Sequence, residues 1–370
     1  MKKVVIAVDS FKGSISSATV GKVISDELKQ RCQGVETLVC PIADGGEGMI
    51  DSISTALSGE RIELEVMNPL MRPIPSHYFI IEKSTALIEM ASSSGLVLID
   101  PNERNPLKTT TRGVGETILH ALDKGCRRFI IGIGGSATND GGMGMLQALG
   151  FRFWDKNGDE LGVGGEMLIQ IDRIDDRKVD RRLKECSFQI ACDVTNPLYG
   201  RDGAAYIFGP QKGADQKAVE MLDRGLRNYA EKIYQYNGKQ VASIPGSGAA
   251  GGIGGGMAGL LNATLQSGIS LVLEVLRFEE RAKGADCIIT GEGKMDRQTL
   301  MGKAPWGVLQ VGLTLGIPVV GVAGRIDDND LLIEAGFSRL IEVSPRDLPL
   351  ADVMQEEVVI ANIRKAMGYL

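Results

Sequence analysis

The chain has 370 residues, of which 43% are hydrophobic and 24% are charged, and its formal net charge is -6. This length accommodates two domains of roughly 100 to 200 residues each, and the near-average composition predicts no long disordered arm. The acidic balance argues against a nucleic-acid-binding face, and no apolar run reaches the roughly 20 residues of a membrane span, so we expect neither nucleic acid nor membrane as a partner.

The N-terminal third alternates strand and helix patterns. The apolar run "KVVIAV" (3–8) predicts a first strand and not a leader, because it is short, ends at Asp9 and has no small-residue cleavage site. The turn "DSFKGS" precedes a helical pattern over 15–30, and the strand "ETLVCPI" (36–42) precedes the turn "ADGGEG" (43–48). This order is typical of a parallel sheet with helices on its faces.

The pattern then changes. Three short strands, "IELEV" (62–66), "HYFII" (77–81) and "ALIEM" (86–90), follow one another closely and predict antiparallel pairing. Residues 92–282 add two glycine-rich turns, the segment "CDVTNPLYG" and a polar helix over 215–236. This part of the chain predicts a separate, mixed domain.

The C-terminal part returns to the first pattern. Strands are predicted at "ADCIIT" (285–290), "IPVVGVAG" (317–324) and "RLIEVS" (339–344), with "GEGKMD" (291–296) as a turn and a helix over 304–316. We therefore predict a two-domain α/β fold. A discontinuous Rossmann-like parallel-sheet domain comprises 1–75 and 283–370, and a mixed α/β domain is inserted at 76–282.

A glycine-rich turn follows the apolar segment that ends near residue 132. Residues 132–137 match G-x-G-x-x-G/A, and Asp155 lies near the spacing of about 20 residues that is typical of a dinucleotide site. Residues 246–251, "GSGAAG", match the same pattern, so in a chain with 48 glycines the pattern says little. The segment "SATND" (136–140) adds hydroxyl, amide and carboxylate groups that suit a hydroxylated substrate or a metal.

Polar groups also follow the first two predicted strands, where ligands bind in open α/β sheets. Asp9, Ser10 and Lys12 precede a helix N-terminus, and they fit either a hydroxyl and phosphate site or an ordinary helix cap. The turn 43–48 places two carboxylates around a pair of glycines. That arrangement fits Mg²⁺ or a ribose, and it also fits an acidic helix start.

Acid–base chemistry falls to carboxylates or lysines. Only His77 and His120 are present, which excludes a multi-histidine zinc site and disfavours a Ser-His-Asp or Cys-His apparatus. Asp193 and Asn196 follow a predicted strand, so Asp193 is a candidate base or metal ligand, although an Asx turn gives the same pattern. The six cysteines form no C-x-x-C pair, which indicates reduced thiols in a cytoplasmic protein.

The densest polar stretch is "GEGKMDRQTLMGKAPWG" (291–307). It combines carboxylates, lysines, an amide and a hydroxyl after an apolar strand, and phosphoryl transfer uses this mixture for positioning and charge stabilisation. Neither the P-loop motif nor the protein-kinase motif set occurs. If the protein is a kinase, it belongs to neither of these large classes.

Taken together, these stretches resemble the bacterial glycerate kinases. The similar elements include "DSFKGS", "ADGGEG", "TTTRGVGE", "GIGGSATNDGGMGMLQALG", "CDVTNPLYG", "GAAGGIGGG" and "GEGKMDRQTLMGKAP", in family order over nearly the whole chain. The resemblance implies transfer of the γ-phosphoryl group of ATP to D-glycerate with Mg²⁺, giving 2-phosphoglycerate or 3-phosphoglycerate in glycerate, glucarate or glyoxylate catabolism. It also implies an active-site cleft between the two domains, and a homodimer is a further hypothesis.

Within this resemblance, roles are assigned residue by residue. Asp193 or Asp140 would accept the hydroxyl proton, and Lys12 and Lys303 would assist catalysis. The residues expected to bind substrate are Ser10, Ser136, Thr138, Asn139, Asn196 and Arg325. Those expected to bind ATP are Asp9, Asp44, Gly45, Gly46, Glu47, Gly248, Gly251, Gly252, Gly291, Glu292 and Gly293, while Asp296 and Asp193 would hold Mg²⁺.

Two other functions stay open on the residues alone. An NAD(P)-dependent oxidoreductase would account for the two glycine matches, but the sequence has no obvious base beside a second substrate pocket. A non-catalytic regulator could bind a sugar acid without turning over ATP. That second alternative leaves the polar density of residues 291–299 unexplained.

Overall fold

The computed structural model describes residues 2–43 and 48–369. The strands of the described chain are β1 (Lys3–Val8), β2 (Glu36–Val39), β3 (Gly59–Met67), β4 (Pro73–Ile81), β5 (Thr85–Glu89), β6 (Arg128–Gly132), β7 (Arg152–Trp154), β8 (Arg173–Asp175), β9 (Ser187–Ala191), β10 (Thr264–Gln266), β11 (Cys287–Met295), β12 (Val319–Ile326) and β13 (Arg339–Glu342). Its α-helices are α1 (Ser17–Arg31), α2 (Met49–Ala56), α3 (Ala91–Ser94), α4 (Arg112–Asp123), α5 (Met143–Ala148), α6 (Ala204–Phe208), α7 (Gln216–Asn237), α8 (Ala249–Leu260), α9 (Gly268–Val275), α10 (Phe278–Ala282), α11 (Ala304–Leu315), α12 (Asn329–Glu334), α13 (Leu350–Val353) and α14 (Glu356–Ala366).

The chain forms two compact units. Unit 1 comprises residues 1–58 and 267–370, and unit 2 comprises residues 59–266. Unit 1 is therefore discontinuous in sequence, and unit 2 interrupts it. The domain boundaries drawn from the sequence, after residues 75 and 282, stay predictions, as does a cleft between the domains.

Unit 1 is built on a parallel sheet in the order β13-β12-β11-β1-β2. Each neighbouring pair runs parallel, with Val4 opposite Cys287 and Ile288 opposite Val319, so the predicted parallel sheet is confirmed. Counted within unit 1 alone, this is the doubly wound order 2-1-3-4-5. The strand order reverses between β1 and β11, which is where such sheets bind ligands.

The core of unit 1 explains why α1 forms where it does. Val20, Ile24 and Leu28 recur at helical spacing and are at most 1% exposed, and they pack in one cluster with the β1 side chains Val4 and Ile6. The helix begins after Ser16, whose Oγ accepts a hydrogen bond from the Thr19 amide at 3.2 Å. It therefore starts two residues later than the sequence pattern, which begins at residue 15.

Unit 2 contains a mixed sheet in the order β10-β9-β6-β5-β4-β3. The predicted antiparallel pairing of the three short strands is confirmed, because β4 pairs antiparallel with both β3 and β5. β5, β6, β9 and β10 run parallel, so the loops after β6 and β9 leave the same edge of the sheet. Among the helices of the described residues, none combines the length and apolar composition needed to cross a membrane.

The two glycine-rich turns of unit 2 pack against each other. Gly251 lies at φ +72°, and a Cβ there would lie 2.0 Å from the Thr138 carbonyl oxygen. The Gly141 amide also donates a hydrogen bond to the Gly251 carbonyl oxygen at 3.0 Å. Close approach of backbone to backbone therefore accounts for the glycines at 246–251 that match the dinucleotide pattern.

Replacing Gly251 with Ala tests this packing against a matched control. Gly238 has a similar φ of +78°, but a methyl group there would meet nothing within 4 Å, so Gly238→Ala measures the backbone cost alone. We expect Gly238→Ala to cost about 1–2 kcal/mol and Gly251→Ala to cost roughly 1–3 kcal/mol more. Urea denaturation of both variants measures the difference, and equal losses would contradict the packing explanation.

Candidate active site

A cavity of about 580 Å³ opens in unit 1 at the carboxyl ends of β1, β11 and β12. It therefore lies where the strand order reverses, the place at which doubly wound sheets bind ligands. Residues singled out from the sequence that line it are Asp9, Ser10, Lys12, Glu292, Gly293, Lys294, Lys303 and Arg325. Arg346, which sequence analysis missed, also lines it because β13 ends at the same edge.

The loop after β1 buries Asp9 and exposes Lys12. Asp9 is 7% exposed, its amide donates to the Gly291 carbonyl oxygen at 2.9 Å, and its Oδ1 accepts from the Ser10 amide at 2.6 Å. A two-residue bridge between Phe11 and Ile15 closes the loop, so exposed Lys12 lies at its tip. The loop therefore presents a cation while it holds the carboxylate against the sheet.

Glu292 is a second, partly buried carboxylate of the cavity, with 12% of its side chain exposed. Its Oε1 accepts from Thr299 Oγ1 at 2.7 Å, and its Oε2 lies 3.3 Å from Lys303 Nζ. Burial raises the pKa of Glu292, whereas the Thr299 hydrogen bond and the Lys303 ammonium act in the opposite direction. Three residues from the dense polar stretch thus form one connected group.

The segment 291–296 corrects a sequence prediction. Residues 291–295 were predicted as a turn, but they continue β11 beside β12, with Lys294 opposite Arg325. Lys294 forms ion pairs with Asp296 at 3.3 Å and with Asp327 at 3.1 Å. These pairs offset the low strand propensity of the charged and glycine residues. Asp296 Oδ1 also accepts from the Gln298 amide at 2.9 Å.

Among the residues that the structure describes, the lining of the cavity carries more cationic than anionic side chains. Five of these lining side chains are cationic and two are carboxylates. Arg325 lies 3.6 Å from Asp327 and 4.0 Å from Glu342, and Arg346 lies 2.7 Å from Glu342, so both arginines are oriented by carboxylates. A polyanion such as a phosphate chain is the ligand that this balance favours.

In unit 2, the turn after β6 is organised by Asp140. Its carboxylate is fully buried and accepts hydrogen bonds from the Thr111 amide at 2.8 Å and the Thr111 hydroxyl at 2.9 Å. The amides of Gly142 and Gly144 donate to it at 3.1 Å and 3.2 Å. Burial raises the pKa of Asp140, and these donors oppose that shift because they favour the charged form.

The neighbouring residues of this turn carry polar atoms with no protein partner. Ser136 is 7% exposed, and Thr138 and Asn139 are fully buried. Within residues 2–43 and 48–369, Thr138 Oγ1 and both side-chain amide atoms of Asn139 form no hydrogen bond. Buried polar atoms are rarely left so, and each such exception is a candidate binding group.

Sequence analysis missed residues that fix the turn. The Thr109 hydroxyl donates to the Ala137 carbonyl oxygen at 2.9 Å, and Thr111 binds Asp140 as described. The triple threonine before α4 was the available signal, but nothing local connects it to a turn nearly 30 residues away. Lys212 also contacts the turn, and it was not considered.

Asp193 and Asn196 lie in the loop after β9. Gly132 and Ala191 are opposite each other in the sheet, so this loop and the turn after β6 begin side by side. Asp193 is exposed, whereas the Asn196 side chain donates to the Asp202 carbonyl oxygen at 2.8 Å and thereby holds its own loop. Because the Asn196 amide donates this bond, it is not the bond of an Asx turn, in which a side-chain oxygen accepts from the backbone, and the Asx-turn alternative stays a prediction.

Several of the glycines that the sequence predicts to bind ATP are instead explained by close packing. A Cβ at Gly248 would lie 2.1 Å from the Pro197 carbonyl oxygen, and one at Gly291 would lie 1.7 Å from that of Val322, so packing accounts for both glycines. Gly252 lies beside Gly251 in the packed turn. Asp44, Gly45, Gly46 and Glu47 lie outside the described residues. ATP binding by these positions stays a prediction.

The metal assignment also stays a prediction. Asp296 lies in unit 1 and Asp193 in unit 2. In the described part of the chain, no group of three or more His, Cys, Asp or Glu side chains could hold a metal ion. Mg²⁺ in nucleotide enzymes is often held by one or two carboxylates together with phosphate oxygens, and such a site leaves no cluster of this kind.

The fold and the cavity define a class: a doubly wound α/β protein whose unit 1 cavity suits anionic ligands. The glycerate kinase family model matches residues 4–367, so the chain belongs to the glycerate kinase family. A glycerate kinase from Halalkalibacterium halodurans is 43% identical over 358 residues, which cover 96% of this chain and 94% of that protein. The protein is thus an enzyme of the kinase type.

Two further comparisons agree. A glycerate 2-kinase from Escherichia coli is 43% identical over 351 residues, 93% of this chain and 92% of that protein. The crystal structure of a candidate glycerate kinase 2 from Salmonella typhimurium LT2 superposes with a TM-score of 0.90 at 40% identity, covering 99% of this chain and 96% of that one. The α/β fold is therefore shared over 99% of this chain.

Replacing Asp140 with Asn tests whether the carboxylate organises the turn. An amide group would oppose at least one of the four donors, so we expect a loss of about 1–3 kcal/mol in the free energy of unfolding. Asp215→Asn is the matched control, because Asp215 Oδ1 caps α7 through the Ala218 amide and Asn caps helices equally well. Urea unfolding midpoints compare the two, and equal midpoints would argue against this role for Asp140.

Proposed function

We propose that the protein transfers the γ-phosphoryl group of ATP to the 2-hydroxyl group of D-glycerate, with Mg²⁺, to give ADP and 2-phosphoglycerate. Family membership supports the reaction class, and the similarity to a glycerate 2-kinase supports the choice of hydroxyl. The observation that carries the proposal is the cation-lined cavity at the reversal of strand order in unit 1. Such a reaction belongs to the catabolism of organic acids.

We assign the unit 1 cavity to the phosphates of ATP. Its volume of about 580 Å³ lies within the usual range for a small-ligand site. Positive charge comes from Lys12 in the loop after β1, from Lys303 just before α11 and from Arg325 in β12, and three separate sources suit an extended polyanion. Positioning and charge stabilisation of this kind provide most of the catalysis in phosphoryl transfer.

The carboxylates of the same cavity fit Mg²⁺. Asp9 and Glu292 both line it, and carboxylate oxygens together with phosphate oxygens are the ligands this ion prefers. When bound, Mg²⁺ neutralises part of the charge on the transferring phosphoryl group. Glu292 belongs to the described lining of the cavity and Asp296 does not, so we place Asp296 second to Glu292.

We assign D-glycerate to the turn after β6 in unit 2. Ser136, Thr138 and Asn139 offer hydroxyl and amide groups, and the atoms of Thr138 and Asn139 lack protein partners in the described chain. These groups match the hydroxyls and the carboxylate of a hydroxy acid. The glycine match at 132–137 therefore serves a polar substrate turn in this proposal, and no dinucleotide is needed.

We assign the proton transfer to Asp193 and not to Asp140. Asp140 already accepts four hydrogen bonds, so its lone pairs are used within the turn. Asp193 is an exposed carboxylate on the loop beside it. In the step, the glycerate oxygen bonds to the γ-phosphorus, the bond from that phosphorus to the bridging oxygen of ADP breaks, and Asp193 takes the hydroxyl proton.

ADP release by the purified protein with ATP and D-glycerate tests the reaction, with and without Mg²⁺. We expect Mg²⁺-dependent ADP formation and a single phosphomonoester signal by phosphorus NMR, coupled to the carbon-2 proton. Coupling to carbon-3 protons would assign the other hydroxyl. Saturable glycerate binding without turnover would favour the regulator, and nicotinamide-dependent oxidation would favour the dehydrogenase.

Asp193→Asn tests the base. We expect a fall of about 10²- to 10⁴-fold in kcat with an unfolding midpoint close to that of the native enzyme, because the residue is exposed and Asn preserves its size. Asp202→Asn is the control, since Asp202 is an exposed aspartate that follows in the same connection between β9 and α6. Turnover of Asp193→Asn within a few-fold of the native enzyme would remove Asp193 from this role.

A further inference from the structure

Lys212 is a buried cation in unit 2. It ends a short 3-10 segment, Pro210–Lys212, and is 1% exposed. Lysine is almost never fully buried unless its charge is paired or hydrogen-bonded. Its presence there therefore needs an explanation.

The ammonium group of Lys212 binds the turn after β6 directly. Nζ donates to Ser136 Oγ at 2.7 Å and to the Thr138 carbonyl oxygen at 2.6 Å. An ammonium group has three donors, and the third finds no acceptor among the residues that the structure describes. The orphaned atoms of Thr138 and Asn139 belong to the same turn.

Stability alone does not account for this lysine. Removing an ammonium group from water is costly, and burial lowers the pKa of Lys212 to about 7, although the carboxylate of Asp140 favours the charged form. A methionine would fill similar space without that cost. The two hydrogen bonds to the turn are the specific gain that a lysine provides.

The bond to Ser136 has a chemical consequence. Because Ser136 Oγ accepts from Lys212, the serine hydroxyl proton must point elsewhere, and it finds no acceptor in the described part of the chain. The serine is thereby fixed as a donor toward a ligand. A nearby positive charge also favours a ligand that is an anion.

We propose that Lys212 is a positioning residue for the hydroxy-acid substrate: it holds the turn 136–139 and fixes the Ser136 hydroxyl as a donor to the substrate carboxylate. This inference rests on the proposed function, because it takes the same turn as the glycerate site. It adds a residue that lies 76 positions from Ser136 in the sequence. Lys212 acts through the turn and does not itself touch the reacting atoms.

Lys212→Met and its matched control Lys239→Met test the proposal. Lys239 also lies in unit 2, donates to a carbonyl oxygen and a side-chain oxygen, those of Ala258 and Asn262, and has a pKa that burial lowers. We expect Lys212→Met to raise the KM for D-glycerate about tenfold or more, with the KM for ATP within about twofold. Lys239→Met should leave both KM values within about twofold.

A binding readout separates this inference from the proposed reaction. D-glycerate should raise the melting temperature of the native protein and of Lys239→Met, but not of Lys212→Met, whether or not ADP is released. If the native protein releases no ADP, the proposed function is wrong. The glycerate-induced shifts in melting temperature of the native protein and of Lys212→Met still test the role of Lys212. An unchanged glycerate KM and melting shift in Lys212→Met would overturn the inference.

Ser136→Ala covers the case in which Lys212→Met does not fold. This substitution removes only the hydroxyl group, which accepts from Lys212 and carries the proposed donor proton, and it keeps the backbone of the turn. We expect a glycerate KM raised about tenfold and an ATP KM within about twofold, because the fixed donor is lost. Ser136→Ala with the native KM for glycerate would overturn the inference by itself.

Discussion

The buried carboxylate of Asp140 is the interaction on which unit 2 depends. Its four donors come from Thr111 before α4 and from Gly142 and Gly144 before and within α5, so one side chain joins two helix starts and the turn after β6. This geometry restricts the sequence around it. A Cβ at Gly144 would lie 1.9 Å from Oγ1 of the buried Thr110, so glycine at this donor position leaves room for the threonine side chain. Close packing around the buried charge thus accounts for the glycine at position 144.

In unit 1, several cationic side chains lie close together around the cavity. In the described part of the chain, more cations than carboxylates line its cavity at the carboxyl edge of the sheet, and their mutual repulsion would drive the cationic side chains apart. Neighbouring carboxylates hold these cations in place: Glu292, itself in the lining, lies beside Lys303, while Asp327 lies beside Lys294 and Glu342 beside Arg346. The excess positive charge is therefore preorganised before any anion arrives, which is the condition for efficient charge stabilisation in phosphoryl transfer.

The parts of this structure that local pattern determines were predictable, and those set by distant contacts were not. Alternating strands and helices identified the parallel sheet, because burial on both faces leaves a strong apolar signal. Residues 291–295 were misassigned, because their strand is stabilised by pairing with β12 and by ion pairs, neither of which a local window contains. Lys212 gave no signal at all, since its partners lie 74 and 76 residues away.

The two glycine matches show why a motif needs its structural context. The pattern G-x-G-x-x-G/A indicates that another group approaches the backbone closely, and a pyrophosphate is only one group that can do so. At Gly251 the approaching group is the Thr138 carbonyl oxygen of the first turn. The second glycine match, at 246–251, therefore packs against the first turn. In the first turn, the side chains of Thr138 and Asn139 keep unpaired polar atoms that a dinucleotide turn would not need. The spacing of glycines thus identifies close approach, and the polar residues between them identify the ligand.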